Sequence, residues 1–571
     1  NLYSEVFEMK ILLVASYEDN PRSFIKPQLG LVSIRKYLEL HHDDIDIEIA
    51  DPQVLGADYV KGMFKKGWDI IGFYFTYPTL FNSANLVVSA YLERLKGPTQ
   101  PWLIGGGPGA LYDRILDITS LDIAVRGEGE KFLLKFVQLI ERLDLKPPLP
   151  TEYLPLFNGI PGDFYIRHVP FQFRATCNQG LFIQTEHFAQ DIRDSLMSLD
   201  DLNQVTAYSP SWEQKMHTIY ADWTLANLAR PYDFPVYVTR GCPAPGCLFC
   251  CSHRNYMIKH GGIRAAGVEV VVNMIEAVQS SSLDKQAKIM FQDDNFICRH
   301  SWVKNLCLLI LEKKSSGQIR SDLTFLVKCR VDHLNEELMS IFQKTGIRQL
   351  NIGIESGSAR VLSEINKSFA PDSYLASVDH LRHWMSKYQI KCHAYLMLFT
   401  PKSLPQDLLQ TISLAVDFLN QGGEISSYDG ILVFPGSPYY ELWQQGVVSA
   451  YTEIVENPLV RLVGSKAFYQ EEKFEDSYLG SISKQVEIPV ALKLQYRETE
   501  EIWLKYKERF PVFWEHFQRK FKWLASTSFR AGWVKLYTIL EVMDNLYRSV
   551  PLINEIRYLK SNLLMLIDSL E

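Results

Sequence analysis

No stretch of this 571-residue chain approaches the roughly 18 consecutive apolar residues of a membrane-spanning helix, so no membrane partner is expected. Basic residues are not in excess. The chain has 59 Lys and Arg against 66 Asp and Glu, a formal charge of -7, which argues against the basic footprint of a nucleic-acid binder. Cysteine is sparse: nine in a chain of this length do not make a disulfide framework, and they suit a reducing cytoplasm, the expected location. The N-terminus lacks a signal-peptide pattern, and Asn1–Glu8 reads as a tag remnant, because Met9-Lys10-Ile11-Leu12-Leu13-Val14 begins a strand. Apolar residues at 47% and charged residues at 22% are ordinary for a globular protein, and the length predicts two to four domains.

What the sequence does concentrate is thiol. Four of the nine Cys fall within residues 242–251, in the run Arg-Gly-Cys-Pro-Ala-Pro-Gly-Cys-Leu-Phe-Cys-Cys that begins at Arg240. Three thiolates this close, Cys242, Cys247 and Cys250, can hold three irons of a four-iron cluster and leave the fourth open to an outside ligand. Phe249 would shield such a cluster and offer a face to a stacked base. Cys251 is the alternative third ligand. The other reading of the run is a structural zinc site with His253 as a further ligand, although zinc usually brings a second Cys or His pair.

The rest of the chain alternates apolar strands with helices. Residues 9–145 read as a doubly wound α/β domain, with strands near Lys10–Ala15, Ile45–Ala50, Asp69–Phe75, Trp102–Ile104 and Ile123–Val125. Continuous apolar strands separated by helices imply a parallel sheet covered on both faces, with ligands beyond the carboxyl ends of the strands. The glycines Gly105, Gly106 and Gly107 follow such an end, where they either let the backbone approach something bulky or make a tight turn. Residues 146–230 read as a linker or wrapping segment, with a hairpin expected in Phe157–Phe173. Residues 231–450 supply six more strands, from Val236–Thr239 through Gln349–Ile354 to Ser427–Phe434, a partial (β/α)6 barrel whose strand ends carry functional groups: Asp293 and Asp294, Cys329 and Arg330, Glu355 and Ser356. Each could equally be a salt bridge or helix cap. Residues 451–571 read as a helical cap domain whose aromatics either pack a core or wall a substrate pocket.

Arg240–Pro243 and Cys247–Cys250 resemble the cluster loop of the radical S-adenosylmethionine (SAM) superfamily, with four rather than the usual three residues between the first two Cys. Residues 9–145 resemble the cobalamin-binding domain that precedes the barrel in one subfamily. The matching pieces are Pro27–Gly30, Asp51, Asp69–Gly72, Gly105–Gly109 and Arg126–Glu130. No Asp-x-His-x-x-Gly motif occurs, so no His from the loop after the first strand can ligate cobalt. The resemblance implies a [4Fe-4S] cluster on Cys242, Cys247 and Cys250. It also implies SAM near Phe249, Asp293, Asp294, Arg330, Glu355 and Ser356, and cobalamin near Thr76, Tyr77, Gly105, Gly106, Gly107, Gly127 and Glu128.

It further implies a 5′-deoxyadenosyl radical that abstracts hydrogen from a substrate, and a reducing partner such as flavodoxin or ferredoxin. Two reactions stand open. The first is cobalamin-dependent C-methylation of a natural-product or peptide substrate. The second is rearrangement, cyclisation or peptide epimerisation, with cobalamin absent or a bystander. For the second, Cys329 and Cys298 are the hydrogen-donor candidates, each otherwise a small buried hydrophobe.

Overall fold

The computed structural model describes residues 9–16, 28–76, 80–111, 115–167, 185–189, 197–207, 233–244, 246–250, 262–281, 288–398, 400, 405–428, 436–445 and 553–568, together with Leu536, Leu540 and Asp544. Two parallel sheets organise it. In the first, β1 (Met9–Val14), β2 (Ile45–Ala50), β3 (Ile70–Tyr74), β4 (Trp102–Gly106) and β5 (Ile123–Arg126) run in the order β2-β1-β3-β4-β5, all parallel. Their residues are apolar in unbroken runs because helices cover both faces: Ile11, Leu13 and Ile104 pack into one core and Leu12, Ile71 and Leu103 into another.

The sheet continues past residue 145. β6 (Asp163–Arg167) and β7 (Thr185–Ala189), from the segment read as a linker, extend it antiparallel beyond β5. Buried Arg167 fixes this extension by donating to the Leu121 and Thr119 carbonyls, so the segment is part of the sheet rather than a loose connection.

The second sheet is the partial barrel. β8 (Asp233–Val236) precedes a short antiparallel pair, β9 (Thr239–Arg240) and β10 (Arg264–Ala265). β11 (Lys288–Phe291), β12 (Phe325–Cys329), β13 (Ile347–Glu355), β14 (Lys391–Met397) and β15 (Glu424–Tyr428) follow, in the order β8-β11-β12-β13-β14-β15, all parallel. Two boundaries move from the sequence reading. The strand expected at Val236–Thr239 ends at Val236, and the last strand starts at Glu424 rather than Ser427, directly after the turn made by Gly422 at φ +78°. The expected C-terminal cap falls mostly outside the described residues. Within them, the helix Ile553–Asp568 packs Ile556, Leu559 and Leu563 into the main core, against the helix Pro405–Asn420.

Candidate active site

The cysteine loop leaves β9 through Gly241, whose φ of +93° an L side chain rarely adopts. Cys242 and Cys250 are half-buried, Cys247 is buried, and none of the three is in a disulfide. Two distant segments hold the loop. Leu248 donates to the Ile365 carbonyl at 3.0 Å, the Asn366 amide donates to the Gly246 carbonyl at 2.9 Å, and Tyr439 N–H donates to the Leu248 carbonyl at 2.9 Å. Burial pushes the Cys242 and Cys247 thiols up. At Cys247 the Lys367 and Arg330 charges pull the other way. An Arg330 N–H points at Cys247 Sγ from 3.8 Å.

The donor set fits a cluster: three thiols outside any disulfide on one anchored loop, with two cations beside Cys247 to balance thiolate charge. Among the described residues no group of three or more His, Cys, Asp or Glu is placed to hold a single metal ion. A cubane instead spreads its thiolates over separate irons. Cys251 and His253 lie outside the described residues.

The strand-end residues divide. Asp293 is fully buried, and its Oδ1 accepts from Val238 N–H, Thr239 N–H and the Thr239 hydroxyl at 3.0, 2.6 and 2.8 Å. Oδ1 therefore clamps the start of the cysteine loop, while the buried Oδ2 has no hydrogen-bond partner among the described residues. Burial pushes its carboxyl up to about 6, against those bonds. Asp294 lines the main cavity. Burial raises its pKa, with Lys328 and Arg240 opposing.

Arg330 gives its fork to Asp332, at 2.9 and 2.8 Å, and a further N–H to the Lys367 carbonyl at 2.7 Å, so the fork expected for a SAM carboxylate is already engaged. Glu355 sits at φ +74° and pairs with buried Lys367 at 2.9 Å. The Ser356 hydroxyl meets Thr411 at 2.8 Å and accepts from Ser358 N–H, so it joins strand to helix. Sequence reasoning missed Lys367, whose ammonium lies 6.0 Å from the centre of the Phe249 ring. Phe249 thus meets a cation and packs against the Val361, Ile365, Met397 and Tyr439 cluster.

A cavity of about 580 Å³ lies between the carboxyl ends of the first sheet and the start of the barrel. One wall carries Gly105, Gly106, Gly107, Gly127 and Glu128, and the other Tyr237, Arg240, Gln292 and Asp294. The three consecutive glycines differ. A Cβ on Gly105 would collide with Leu121, and one on Gly107, at φ +89°, would lie 2.6 Å from the Phe75 carbonyl oxygen. A Cβ on Gly106 would meet nothing within 4 Å, so Gly106 alone of the three owes its open space to the cavity. Thr76 ends a described segment and is not among the residues lining the cavity, and Tyr77 lies outside the described residues.

The cavity floor joins the first sheet to the β9–β10 pair at the start of the barrel by buried ion pairs. Arg264 reaches Glu128 at 2.6 and 3.1 Å and the Met197 carbonyl at 2.7 Å, and Glu128 also accepts from Met197 N–H at 2.8 Å. Burial alone would raise the Glu128 pKa. The Arg240 charge, the Arg264 bonds and the Met197 N–H outweigh it and hold the carboxyl below its usual value. Arg240, the register partner of Arg264, reaches Glu130 at 3.2 Å and Ser33 at 3.1 Å. Glu128 was expected at a cofactor, but its carboxylate is spent on this joint. Cys329 is packed in the main core and Cys298 is buried. Burial pushes their thiols to about 12 and about 11, and neither lines the cavity.

A parallel half-barrel with an anchored three-cysteine loop near its first strand is the architecture of a radical SAM domain. Consistent with this, residues 236–415 match the family model described as Radical SAM superfamily, and the chain carries that domain. The family implies a [4Fe-4S] cluster and SAM. Over 382 residues the chain is 24% identical to the uncharacterized methyltransferase PH0819 of Pyrococcus horikoshii, covering 65% of this chain and 70% of that one.

Among solved structures it is similar to the cobalamin-dependent SAM radical enzyme OxsB with aqua-cobalamin and SAM bound, with a TM-score of 0.57 and 14% identity over 99% of this chain and 84% of that one. It is also similar to the radical SAM methyltransferase TsrM from Kitasatospora setae with tryptophan and a SAM analogue, with a TM-score of 0.56 and 14% identity over 78% and 77%. At these identities the likeness shows the fold. No helix among the described residues is long and apolar enough to cross a membrane.

Proposed function

We propose that this radical SAM enzyme binds cobalamin as well and methylates a carbon of a small-molecule or peptide substrate. The observation that carries the reading is the cavity, because one space is walled by Gly106 and Gly127 from the first sheet and by Tyr237, Gln292 and Asp294 from the barrel. A carrier held by the first sheet would thus lie within reach of a substrate at the barrel mouth. The names of the relatives, a methyltransferase and two enzymes whose structures contain cobalamin or a SAM analogue, support the same reading.

When bound, the reduced cluster supplies the electron that splits SAM into methionine and a 5′-deoxyadenosyl radical, and cobalamin supplies a methyl carrier. The chain does the rest. Cys242, Cys247 and Cys250 would each hold an iron of the cluster. Lys367 and Arg330 offset thiolate charge at Cys247. Glu355, set by Lys367, offers its carboxylate to the SAM amino group or ribose. Leu13, Ile104 and Phe132 give the cavity an apolar wall that excludes water.

The test is anaerobic reconstitution with iron, sulfide and hydroxocobalamin, followed by metal analysis and SAM turnover. About four irons and one cobalt per chain, with S-adenosylhomocysteine formed beside 5′-deoxyadenosine, are expected. Cobalt-free protein that yields 5′-deoxyadenosine alone overturns methyl transfer and favours rearrangement, cyclisation or epimerisation.

A further inference from the structure

The two faces of the barrel sheet differ in a way that a packed barrel does not allow. On one face, Ile289, Val327, Ile352, Ala394 and Ile425 are buried in the core shared with the helices. On the other, the parallel register aligns Lys328 with Asn351, Asn351 with His393, and His393 with Glu424. Partners in a parallel ladder project to the same side, so these four form one polar rung across four strands. The interior of a closed (β/α) barrel is filled with layers of bulky branched side chains. Here the matching positions are a cation, an amide, an imidazole and a carboxylate.

Part of the rung is already satisfied. The Asn351 amide accepts from Gln349 at 3.1 Å and donates to the Tyr395 hydroxyl at 3.3 Å, and the His393 and Tyr395 rings stack 4.9 Å apart. The two ends carry no close partner. Lys328 and Glu424 are half-buried, and neither makes a hydrogen bond or a close ion pair among the described residues, although Asp294 and Asp293 act on Lys328 from farther off, and Lys391 and Lys288 on Glu424. Burial lowers the Lys328 pKa and raises that of Glu424, so each charge is held at a cost. An unpaired charge withdrawn from water is unfavourable unless something else completes it. Asp294, which lines the main cavity, acts on Lys328 electrostatically, so the Lys328 end is the cavity-ward end of the rung, although Lys328 is not itself a lining residue.

We propose that this rung is a substrate-recognition surface on which Lys328 binds a carboxylate of the substrate while Asn351 and Tyr395 offer hydrogen bonds beside it. This inference rests on the proposed catalytic reading and narrows it to a carboxylate-bearing substrate. Lys328 is the specificity-determining residue of that surface.

The test uses the reconstituted, SAM-loaded protein and paired probes: tryptophan with tryptophanamide, and hippurate with hippuramide. Binding is followed by calorimetry. Each carboxylate is expected to bind at least about tenfold more tightly than its amide, the scale of one charge-assisted hydrogen bond. In Lys328→Met the preference disappears, and in Lys328→Arg it persists, with iron content and SAM binding unchanged in both. No acid-over-amide preference in the wild type, or a preference that survives Lys328→Met, overturns the proposal. Iron and cobalt content, measured on the same samples, separates that failure from a failure of the cofactor reading.

Discussion

Replacing Arg264 with Met would break the buried joint between the first sheet and the β9–β10 pair. The Arg264 side chain is 9% exposed and that of Glu128 5%, and the guanidinium makes three hydrogen bonds, two to the carboxylate and one to the Met197 carbonyl. Removing one partner of a buried pair leaves the other charge uncompensated, at a cost of about 3–5 kcal/mol. At 1.4 kcal/mol per tenfold, that is roughly a 100- to 4,000-fold rise in local opening.

Hydrogen exchange read by mass spectrometry would show it. Faster exchange is expected together in peptides covering 126–133, 197–206 and 262–267, and not in 391–397. Glu128→Gln keeps the shape and loses the charge, so a smaller loss of about 1.5–3 kcal/mol is expected. The double replacement should recover part of the sum, because the two residues are coupled. The pair's contribution is present above the unfolded carboxyl pKa near 4.3 and fades as pH falls through the lower folded value of Glu128. A change below tenfold, or one confined to residues 262–267, would refute the view that this pair fixes the β9–β10 pair to the first sheet.

Other expectations follow from single side chains. Changing Cys242, Cys247 or Cys250 to Ala should each abolish the four-iron absorbance on reconstitution, whereas Cys307→Ala, buried elsewhere, should not. Gly105→Ala should lower stability by about 1–3 kcal/mol through collision with Leu121, whereas Gly106→Leu should leave the melting transition in place and weaken hydroxocobalamin binding. Lys367→Met strands the Glu355 carboxylate and removes a cation beside Cys247. It should shift the reduced cluster to a more negative potential in an electron paramagnetic resonance titration.

Asp293, raised to about 6, favours its protonated form when folded, so its charge costs stability progressively from about pH 4 to 6. Asp293→Asn removes that cost. The variant's stability advantage should therefore grow over that window in urea melts and level off above it.

Much of the fold was readable because it is local. Unbroken apolar runs marked β1, β3 and β4, and the cysteine loop announced itself within ten residues. The polar alternation of Gln349-Leu350-Asn351-Ile352 was also present in the letters, but it was read as one more strand. What escaped notice depends on partners far along the chain. Asp293 sits at a strand end, as a ligand contact would, yet its work is set by backbone 54 residues earlier. Glu128 meets an arginine 136 residues away, and Lys367 finds Glu355 across a turn and a helix. No periodicity or spacing encodes such pairings.

The tethers of the cysteine loop also bear on the order of assembly. Leu248 is held from one side by Ile365 and from the other by Tyr439, so the loop acquires its final shape only after a further 190 or so residues have emerged and folded. A nascent chain that has made all three cysteines still lacks the groove that arranges them. Cluster insertion into this protein therefore belongs after synthesis of the barrel, and a fragment ending before the helix Pro438–Gln444 should emerge with its thiols exposed to oxidants and to stray metal.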